Sequence, residues 1–498
     1  MRKPGSLRLA IVVTTIAVVL LVVMSGADAV LGQSDVRLER RTDIPFEISS
    51  ATVQETPDSD PALTSVEQGK PNLDQAFAEF DKWRLEKRRA AFEDTEFLIN
   101  LRTFYFDRSD FTGAEKQAWA IGGWAGVRTG YFLDHIAFGA TVYTTNPVYA
   151  PDDRDGTSLL EEGQNGFTVL GEFYADIRIM KGLGVTVGAK GYDTPFISRN
   201  DNRMLPNTFG AAVLQGRYEF GDSTSGANVP PDGIGLSKDE KSVAVPSPTP
   251  AAEVAAIKYG LGYFDQIKER NENEFISMAK DAGADVNRGV WAAGAQYEKG
   301  KFSIGAIEYY CADVINIAYA QTGFQIPLSD DVRLKLAAQY TDEGSVGDNL
   351  LDGESFSGHQ IGFKVELPIK NALFTAGFTH AWGNANLRNP WSGYPGYTSV
   401  QVQDFNRAGE SAFLLRAGYD LPWVEGLSVY ALAVLGTDPD SPTQFRQNEF
   451  DANLQWGPKK GLLKGLSVRL RYAVVQQFGG DVHNLTDFRG ICNYEVKF

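Results

Sequence analysis

The chain has few of the residues that build metal and redox sites. It contains two cysteines, Cys311 and Cys492, and four histidines among 498 residues. Two cysteines so far apart cannot supply the clustered ligands of a zinc or iron–sulfur site. They leave two alternatives open: one disulfide in an oxidising compartment, or two free thiols in or beside strands. The sequence therefore predicts no metal and no cofactor.

Positive charge is also scarce. The chain has 47 Lys and Arg residues against 63 Asp and Glu residues, which gives a formal net charge of −16. A protein that binds the phosphate backbone of a nucleic acid needs a basic surface. Nucleic acid is therefore not an expected partner.

Long apolar runs are absent except at the N-terminus. There a basic stretch ("MRKPGSLRLA") precedes an apolar one ("IVVTTIAVVLLVVMSG") and a small-residue cleavage site ("ADA") that ends at Ala29. This order predicts a secretory signal peptide over residues 1–29. The alternative is an uncleaved membrane anchor, because the run is close to the shortest length that spans a bilayer. If the rest of the chain lies in a membrane, it has to cross as strands.

Residues 30–94 have the composition of a leader segment. The first part ("SSATVQETPDSDPALTSVEQGKP") is polar and contains proline, which predicts a flexible chain. The second part has apolar residues at helical spacing, at Leu73, Phe77, Phe80 and Leu85, which predicts one amphipathic helix in the periplasm. Two roles stay open for it: a simple tether or shield for the following sheet, and a specific docking role.

From about Glu96 onward, apolar and polar residues alternate. In "SVRLRYAVV" the apolar residues stand at every second position from Val468 to Val474, and Arg469 and Arg471 stand between them. The same alternation surrounds Arg102 in "FLINLRTFYF", Lys335 in "VRLKLAAQYT" and Arg178 in "FTVLGEFYADIRI". Successive side chains of a strand point to opposite faces of the sheet. Each strand therefore has one apolar face and one charged face.

About eighteen such strands follow one another, an even number in the range of outer-membrane pores. They begin near residues 95, 119, 134, 167, 184, 208, 255, 289, 301, 314, 331, 358, 371, 411, 426, 446, 464 and 489. Short turns alternate with longer loops such as 145–166, 194–207 and 382–410. The pattern predicts an all-β fold, a transmembrane antiparallel barrel over residues 95–498 that is threaded from the periplasmic side. A soluble β-sandwich is the alternative, but it would need charged outer faces on both sheets.

The last six residues, "NYEVKF", predict how the barrel closes. Tyr494, Val496 and Phe498 share one face, and three polar residues share the other. In hydrocarbon every backbone polar group must be paired within the protein, so the last strand has to pair with the first. This places Tyr494, Val496 and Phe498 toward lipid. The ending also resembles the signal by which outer-membrane proteins are presented to the barrel-assembly machinery.

Several stretches of the chain, taken in order, resemble the OprD-like outer-membrane porins, also called outer-membrane carboxylate channels. They are "LRTFYFDR" (101–108), "RMLPNTFGAAVLQG" (203–216), "DFNRAGESAFLLRAGYDL" (404–421) and "GLLKGLSVRLRYA" (461–473), followed by the ending. The resemblance implies an eighteen-strand barrel in the outer membrane, narrowed by inward loops and lined by a ladder of basic side chains that guides carboxylates. Its expected partners are membrane lipid, lipopolysaccharide and small anionic or zwitterionic solutes. A monomer and a trimer both remain open.

The resemblance assigns roles to particular residues. Arg416, Arg469 and Arg471 match rungs of the basic ladder, and Arg203 with residues 204–206 matches the loop that forms the constriction. Further pore-lining candidates come from the alternation: Arg102, Lys335 and Arg178. The alternative for such lumen charges, including Lys190 and Lys364, is that they pair with neighbouring side chains.

Two parts of the chain depart from the family pattern. The strand "SVYALAVLG" (428–436) has no arginine where family members often carry one, which predicts a shorter ladder. Residues 221–253, rich in Pro, Ser and Gly, fall where a short periplasmic turn is expected, and they predict a disordered insertion. Either this insertion is a long periplasmic excursion, or the strand count is wrong by one hairpin.

Two other functions compete with a porin. One is a structural or adhesive barrel with a plugged lumen. The other is an outer-membrane hydrolase, which needs a nucleophile with a histidine base. The four histidines, His135, His359, His380 and His483, accompany neither a G-x-S-x-G elbow nor an HExxH helix. The sequence therefore predicts a channel and not an enzyme.

Overall fold

The computed structural model describes residues 73–220, 252–329, 331–479 and 484–498. The predicted signal peptide, residues 30–72 of the leader, residues 221–251 of the predicted insertion and His483 lie outside these ranges. The chain divides into two compact units, residues 1–85 and 86–498. In the described ranges, no helix is both long and apolar enough to cross a bilayer.

The amphipathic helix predicted in the leader is present as α1, Leu73–Glu93. Its first part belongs to the N-terminal unit, where the rings of Phe80 and Trp83 stack at a centroid distance of 5.6 Å. Arg84 and Asp81, three residues apart on the same side of the helix, form an ion pair of 2.9 Å. A second helix, α2 (Met278–Asp281), is a single turn in the loop after the seventh strand.

Strands make up most of the second unit. They are β1 (Glu96–Ser109), β2 (Glu115–Arg128), β3 (Ile136–Tyr149), β4 (Phe167–Met180), β5 (Leu183–Lys190), β6 (Thr208–Glu219), β7 (Ala252–Lys268), β8 (Ile276–Ser277), β9 (Val290–Gly300), β10 (Phe302–Cys311), β11 (Ile315–Pro327), β12 (Arg333–Gly344), β13 (Ser357–Ile369), β14 (Ala372–Gly383), β15 (Ser411–Asp420), β16 (Leu427–Gly436), β17 (Arg446–Trp456), β18 (Leu466–Phe478) and β19 (Leu485–Lys497). The two-residue β8 pairs only with the end of β7. The other eighteen form one antiparallel sheet, as predicted.

The sheet closes on itself through β1 and β19. Leu101 lies opposite Tyr494 and Ile99 opposite Val496 in an antiparallel register. Phe97 and Phe498 exchange two backbone hydrogen bonds, Phe97 N to Phe498 O at 3.2 Å and Phe498 N to Phe97 O at 3.0 Å. The predicted pairing of the last strand with the first is therefore confirmed. A soluble sandwich, the alternative fold, is wrong because this sheet is a closed barrel.

The strand count is not wrong by one hairpin near the predicted insertion. β6 and β7 pair directly with each other, from Thr208 opposite Lys268 to Glu219 opposite Ala256. β7 begins at Ala252, so the last two residues of the predicted insertion belong to a strand. Glu219 and Ala252 both lie at the end of the barrel that carries the short turns.

The two faces of the barrel differ as the alternation predicts. On β1, Phe97, Ile99 and Leu101 are exposed on the outer face, whereas Asn100 and Arg102 on the inner face are 4% and 7% exposed. An apolar outer face suits contact with lipid, and an inner polar face suits an aqueous lumen. Cys311 of β10 and Cys492 of β19 are both free thiols.

The core of the protein lies inside the barrel, because long loops fold inward. Tyr192, Phe196 and Trp391 come from loops and are fully buried. They pack in one cluster with inward-facing strand residues such as Phe209 and Tyr309. These loops leave the end of the barrel opposite the short turns, and they narrow its interior.

Gly123 tests the pairing of β1 with β2. Its φ is +129°, and a Cβ there would lie 1.9 Å from the carbonyl oxygen of Asn100. Gly123→Val should cost about 1–3 kcal/mol of backbone strain and also separate the two strands. We expect little folded barrel, measured by heat-modifiable electrophoretic mobility. Ala125→Val, on the same outer face, should fold normally, and equal folding of the two variants would contradict this account.

Candidate pore constriction and basic wall

The loop 191–207 is attached to the inner face of β1 by Arg102. The guanidinium of Arg102 binds both carboxylate oxygens of Asp201, Nη1 to Oδ1 at 2.5 Å and Nη2 to Oδ2 at 3.0 Å. Its Nη1 also donates to the backbone oxygen of Arg203 at 2.7 Å. Paired, two-pronged contacts of this kind fix both position and orientation. Arg102, a predicted pore-lining residue, thus anchors the loop to the wall.

The same loop brings Arg203 and its neighbours into the barrel. Met204 and Leu205 are fully buried in a cluster with Phe104, Phe106 and Leu159. These partners come from β1 and from the loop 150–166. Residues 203–206 therefore fold into the barrel, and their role as the constriction stays a prediction.

Arg203 itself is enclosed rather than open to solvent. Its Nε donates to the backbone oxygen of Thr157 at 2.9 Å, and its guanidinium carbon lies 5.0 Å from the centre of the Phe106 ring. Burial, together with the nearby positive charges of Arg489 and Arg270, lowers the pKa of Arg203 below its ordinary value. Three arginines, Arg203, Arg270 and Arg489, therefore lie near one another beside this loop.

A second inward loop, 384–410, is attached to β17 through backbone N–H groups. Val402 N and Gln403 N donate to the two carboxylate oxygens of Glu449, at 2.8 and 2.7 Å. Gln401 N donates to Asp451 Oδ2 at 3.3 Å. Glu449 and Asp451, two carboxylates on the inner face of the barrel, thus hold this loop in place.

The tip of this loop also contacts β19. Gln401 Nε2 donates to Asp487 Oδ1 at 2.8 Å, and Arg489 Nη2 donates to Gln401 O at 3.0 Å. Asp487 also accepts from Arg489 Nε at 2.7 Å and from Arg108 Nη2 at 2.6 Å. Arg108, Asp487 and Arg489 were not predicted to be pore residues, although they alternate with outward-facing neighbours.

Arg416, Arg469 and Arg471 are brought together on one side of the lumen. Arg416 projects inward from β15 and the other two from β18, close enough for their charges to repel one another. Tyr430 of β16 lies between them: its ring centre is 4.1 Å from the guanidinium carbon of Arg416. Arg469 Nε donates to Asn453 Oδ1 at 2.6 Å. We call these three arginines the basic wall.

Arg471 is the third member of the basic wall. It lies opposite Asn453 on β17 and opposite Arg489 on β19. Its Nε is buried and has no hydrogen-bond partner among the described residues. The charge of Asp451 also acts on it, but that carboxylate is shared with the backbone of Gln401.

The remaining predicted pore residues lie elsewhere. Lys335 lies opposite Glu366 in the register of β12 and β13, and Glu366 is in turn a charged neighbour of Arg416. Arg178 lies at the periplasmic end, where its guanidinium carbon is 3.4 Å from the ring centre of Tyr131.

Two further lumen lysines form ion pairs, as the alternative reading of such charges predicts. Lys190 Nζ lies 3.5 Å from Asp176 Oδ1. Lys364 Nζ lies 3.6 Å from Glu366 Oε1. Both pairs join lumen-facing side chains of the wall.

The described histidines lie on the outer face or at a turn. His359 and His380 both stack on Trp382, at centroid distances of 5.4 and 5.7 Å. His380 Nδ1 is 2.9 Å from Ser411 Oγ, but these residues are direct cross-strand neighbours in the register of β14 and β15. A hydrogen bond between such neighbours is ordinary in a sheet, and a hydrolytic pair also needs an orienting group and oxyanion donors.

The match to a protein-family model decides the family. Residues 250–498, which cover half of the chain, match the model described as outer membrane porin, OprD family. This chain belongs to the OprD family. It is therefore an outer-membrane porin, a channel for small solutes, and its fold and family are those of a channel rather than of an enzyme. No curated protein sequence matches the chain.

Solved structures show the same fold at low sequence identity. OpdK of Pseudomonas aeruginosa, solved with vanillate, is 18% identical with a TM-score of 0.66, and OccK9 (OpdG) of the same species is 19% identical with a TM-score of 0.68. A BenF-like porin from Pseudomonas fluorescens Pf-5 is 17% identical with a TM-score of 0.67. Each similarity covers 82% of this chain and 100% of the other.

The ion pair between Arg102 and Asp201 should set the width of the pore. Asp201→Asn removes the charge that holds the loop 191–207 against β1, so we expect a larger single-channel conductance in planar bilayers and faster entry of larger neutral sugars. Asp153→Asn, at an exposed carboxylate of another loop, is the matched control and should leave both unchanged. An unaltered conductance in Asp201→Asn would show that this ion pair does not define the constriction.

Proposed function

We propose that this porin conducts small solutes that carry a carboxylate, and that the basic wall guides them. The observation that carries the proposal is the grouping of Arg416, Arg469 and Arg471 on one side of the lumen, with Arg489 directly beside Arg471. Arg471 as a whole is only partly buried, so a solute carboxylate can approach its guanidinium from the lumen.

The physical basis is the field inside a narrow aqueous pore. A wall of low dielectric constant concentrates the field of the charges that line the lumen, which raises the local concentration of anions. A guanidinium binds a carboxylate through two parallel N–H groups, so neighbouring arginines can pass a carboxylate from one to the next. The solute is guided without being held tightly, because each successive guanidinium offers a similar contact.

The two anchored loops supply the size limit that such guidance needs. Asp201 holds the first loop to β1, and Glu449 holds the second to β17. Both loops approach Arg489, the neighbour of Arg471: Arg203 of the first loop is close enough to feel its charge, and Gln401 of the second loop accepts a hydrogen bond from it. A solute would therefore pass the arginines at the place where the lumen is narrowest.

Tyr430 lies on β16, the strand in which a family arginine is expected and absent. It lies on the inner face, with its ring against Arg416 and its hydroxyl hydrogen-bonded to Arg469. A tyrosine there keeps the neighbouring guanidiniums apart and offers an apolar surface. We infer that the wall favours carboxylates with a compact apolar body over highly charged anions.

Removing two arginines of the basic wall tests the proposal. One guanidinium about 8 Å from an anion contributes roughly 2 kcal/mol at an effective dielectric constant near 20, and water and salt in the pore reduce this value. We therefore expect Arg469→Ala with Arg471→Ala to lower the ratio of anion to cation permeability severalfold. The measurement is the reversal potential across a planar bilayer in a KCl gradient.

The matched control removes two positive charges outside the lumen. Lys459→Ala with Lys460→Ala, in the exposed turn between β17 and β18, should leave the reversal potential unchanged. An unchanged anion preference in the Arg469 and Arg471 variant would refute the role of the basic wall. Wild-type barrels that fold but pass no current would instead support the competing reading, a plugged structural or adhesive barrel.

A further inference from the structure

The C-terminal end of α1 is joined to the periplasmic turn between β2 and β3. Gly130 N donates to the backbone oxygen of Ala91 at 2.9 Å. Lys87 Nζ forms an ion pair of 2.7 Å with Asp134 Oδ2. One contact uses the backbone of the helix and the other a side chain one turn earlier, so this end of the helix has a defined orientation on the barrel rim.

Close packing at Gly130 makes this attachment specific. A Cβ at Gly130 would lie 2.6 Å from the Cβ of Asp94 and 2.9 Å from the backbone oxygen of Ala91. Only a residue without a side chain fits there. Ala91, on the face turned to the barrel, is fully buried. The attachment is therefore an intimate contact and not a loose tether.

Phe92 extends the outer apolar surface of the barrel onto the helix. It is 67% exposed, and its ring meets that of Phe132 edge to face at 5.3 Å. Phe132 in turn lies 6.1 Å from Phe138, which is 51% exposed on the outer face of β3. Three rings thus form a continuous row from the lipid-facing wall to the helix. Aromatic rings of this kind are typical of the membrane boundary.

Two arginines flank Phe92 on the same side of the helix. Arg88 and Arg89 precede it by four and three residues, the spacings that place side chains on one helical face. Both are exposed, and Arg89 also pairs with Glu93 at 2.8 Å. Long basic side chains at a membrane boundary keep their stems on apolar surface and extend their charged ends to lipid phosphates.

We propose that residues 87–92, here called the helix foot, bind the inner leaflet of the outer membrane. Phe92 enters the apolar boundary beside Phe132, and Arg88 and Arg89 bind phospholipid phosphate groups. Continuity with the lipid-facing wall and the complementary charge of phosphate both favour lipid as the occupant. The helix foot therefore holds the C-terminal end of α1 at the membrane surface, and this role is independent of what the pore conducts.

Depth-dependent quenching tests the helix foot on the full-length porin in lipid vesicles. Phe92→Cys is labelled with a fluorophore in a background that carries Cys311→Ala and Cys492→Ala. We expect strong quenching by lipids with a nitroxide near the headgroup and weak quenching by iodide. Phe138→Cys, on the lipid-facing wall, is the embedded control, and Asp153→Cys, in an exposed loop, is the aqueous control. A Phe92 label that behaves like the Asp153 label would overturn the proposal.

A charge series tests the phosphate contacts. Vesicles of zwitterionic phosphatidylcholine are compared with vesicles that also contain anionic phosphatidylglycerol. We expect anionic lipid to increase the lipid quenching of the Phe92 label, and Arg88→Gln with Arg89→Gln to reduce that increase severalfold. Lys459→Gln with Lys460→Gln is the matched charge control. Equal quenching in both vesicle types, with or without the arginines, would overturn phosphate binding, and heat-modifiable mobility reports that every variant is folded.

Discussion

Pairing of backbone polar groups without help from water is the constraint on which the rest of this structure depends. In hydrocarbon an unpaired N–H or C=O group costs several kcal/mol, so an open sheet edge is excluded. The contact between β1 and β19 removes both edges at once, and the alternation along each strand then fixes which side chains meet lipid and which meet water. The lumen and the strand side chains that line it follow from that closure.

Inside the barrel, several acidic groups hold loops and arginines of the wall in place. Asp201 binds Arg102, Glu449 binds the backbone of the loop 384–410, and Asp487 binds Arg108 and Arg489. A chain with a net charge of −16 can therefore still carry the basic wall that we propose to guide solutes. The net charge of a protein affects its solubility and its rate of association with other molecules. The ion selectivity of a pore depends instead on where each charge lies.

The alternation of apolar and polar residues predicted the fold well, because every strand must present an apolar face to lipid. Eighteen strands, the pairing of the last with the first and the inward position of Arg469 and Arg471 were all readable from the sequence. The last strand was predicted to begin near residue 489, but it begins at Leu485. That error hid Asp487, since residues before the predicted start were not assigned to a face. Arg489 stands at the predicted start itself, and the face assignment began only at Asn493. Arg108 and Tyr430 stood in the quoted stretches, but nothing in their local sequence showed which loop or guanidinium would meet them.

Which side chains form ion pairs in the lumen depends on the conformation of the loops. The alternation of apolar and polar residues along the strands does not encode that conformation. Arg102 shows this: alternation placed it inward, yet only the fold of the loop 191–207 brings Asp201 to it.

The central claim, a lumen that favours carboxylates, is tested most directly by liposome swelling with the wild-type porin. Small carboxylates, basic amino acids and neutral sugars of similar size would be compared. The account predicts fastest entry for the carboxylates, and equal rates for all three classes, or faster entry of the cations, would contradict it.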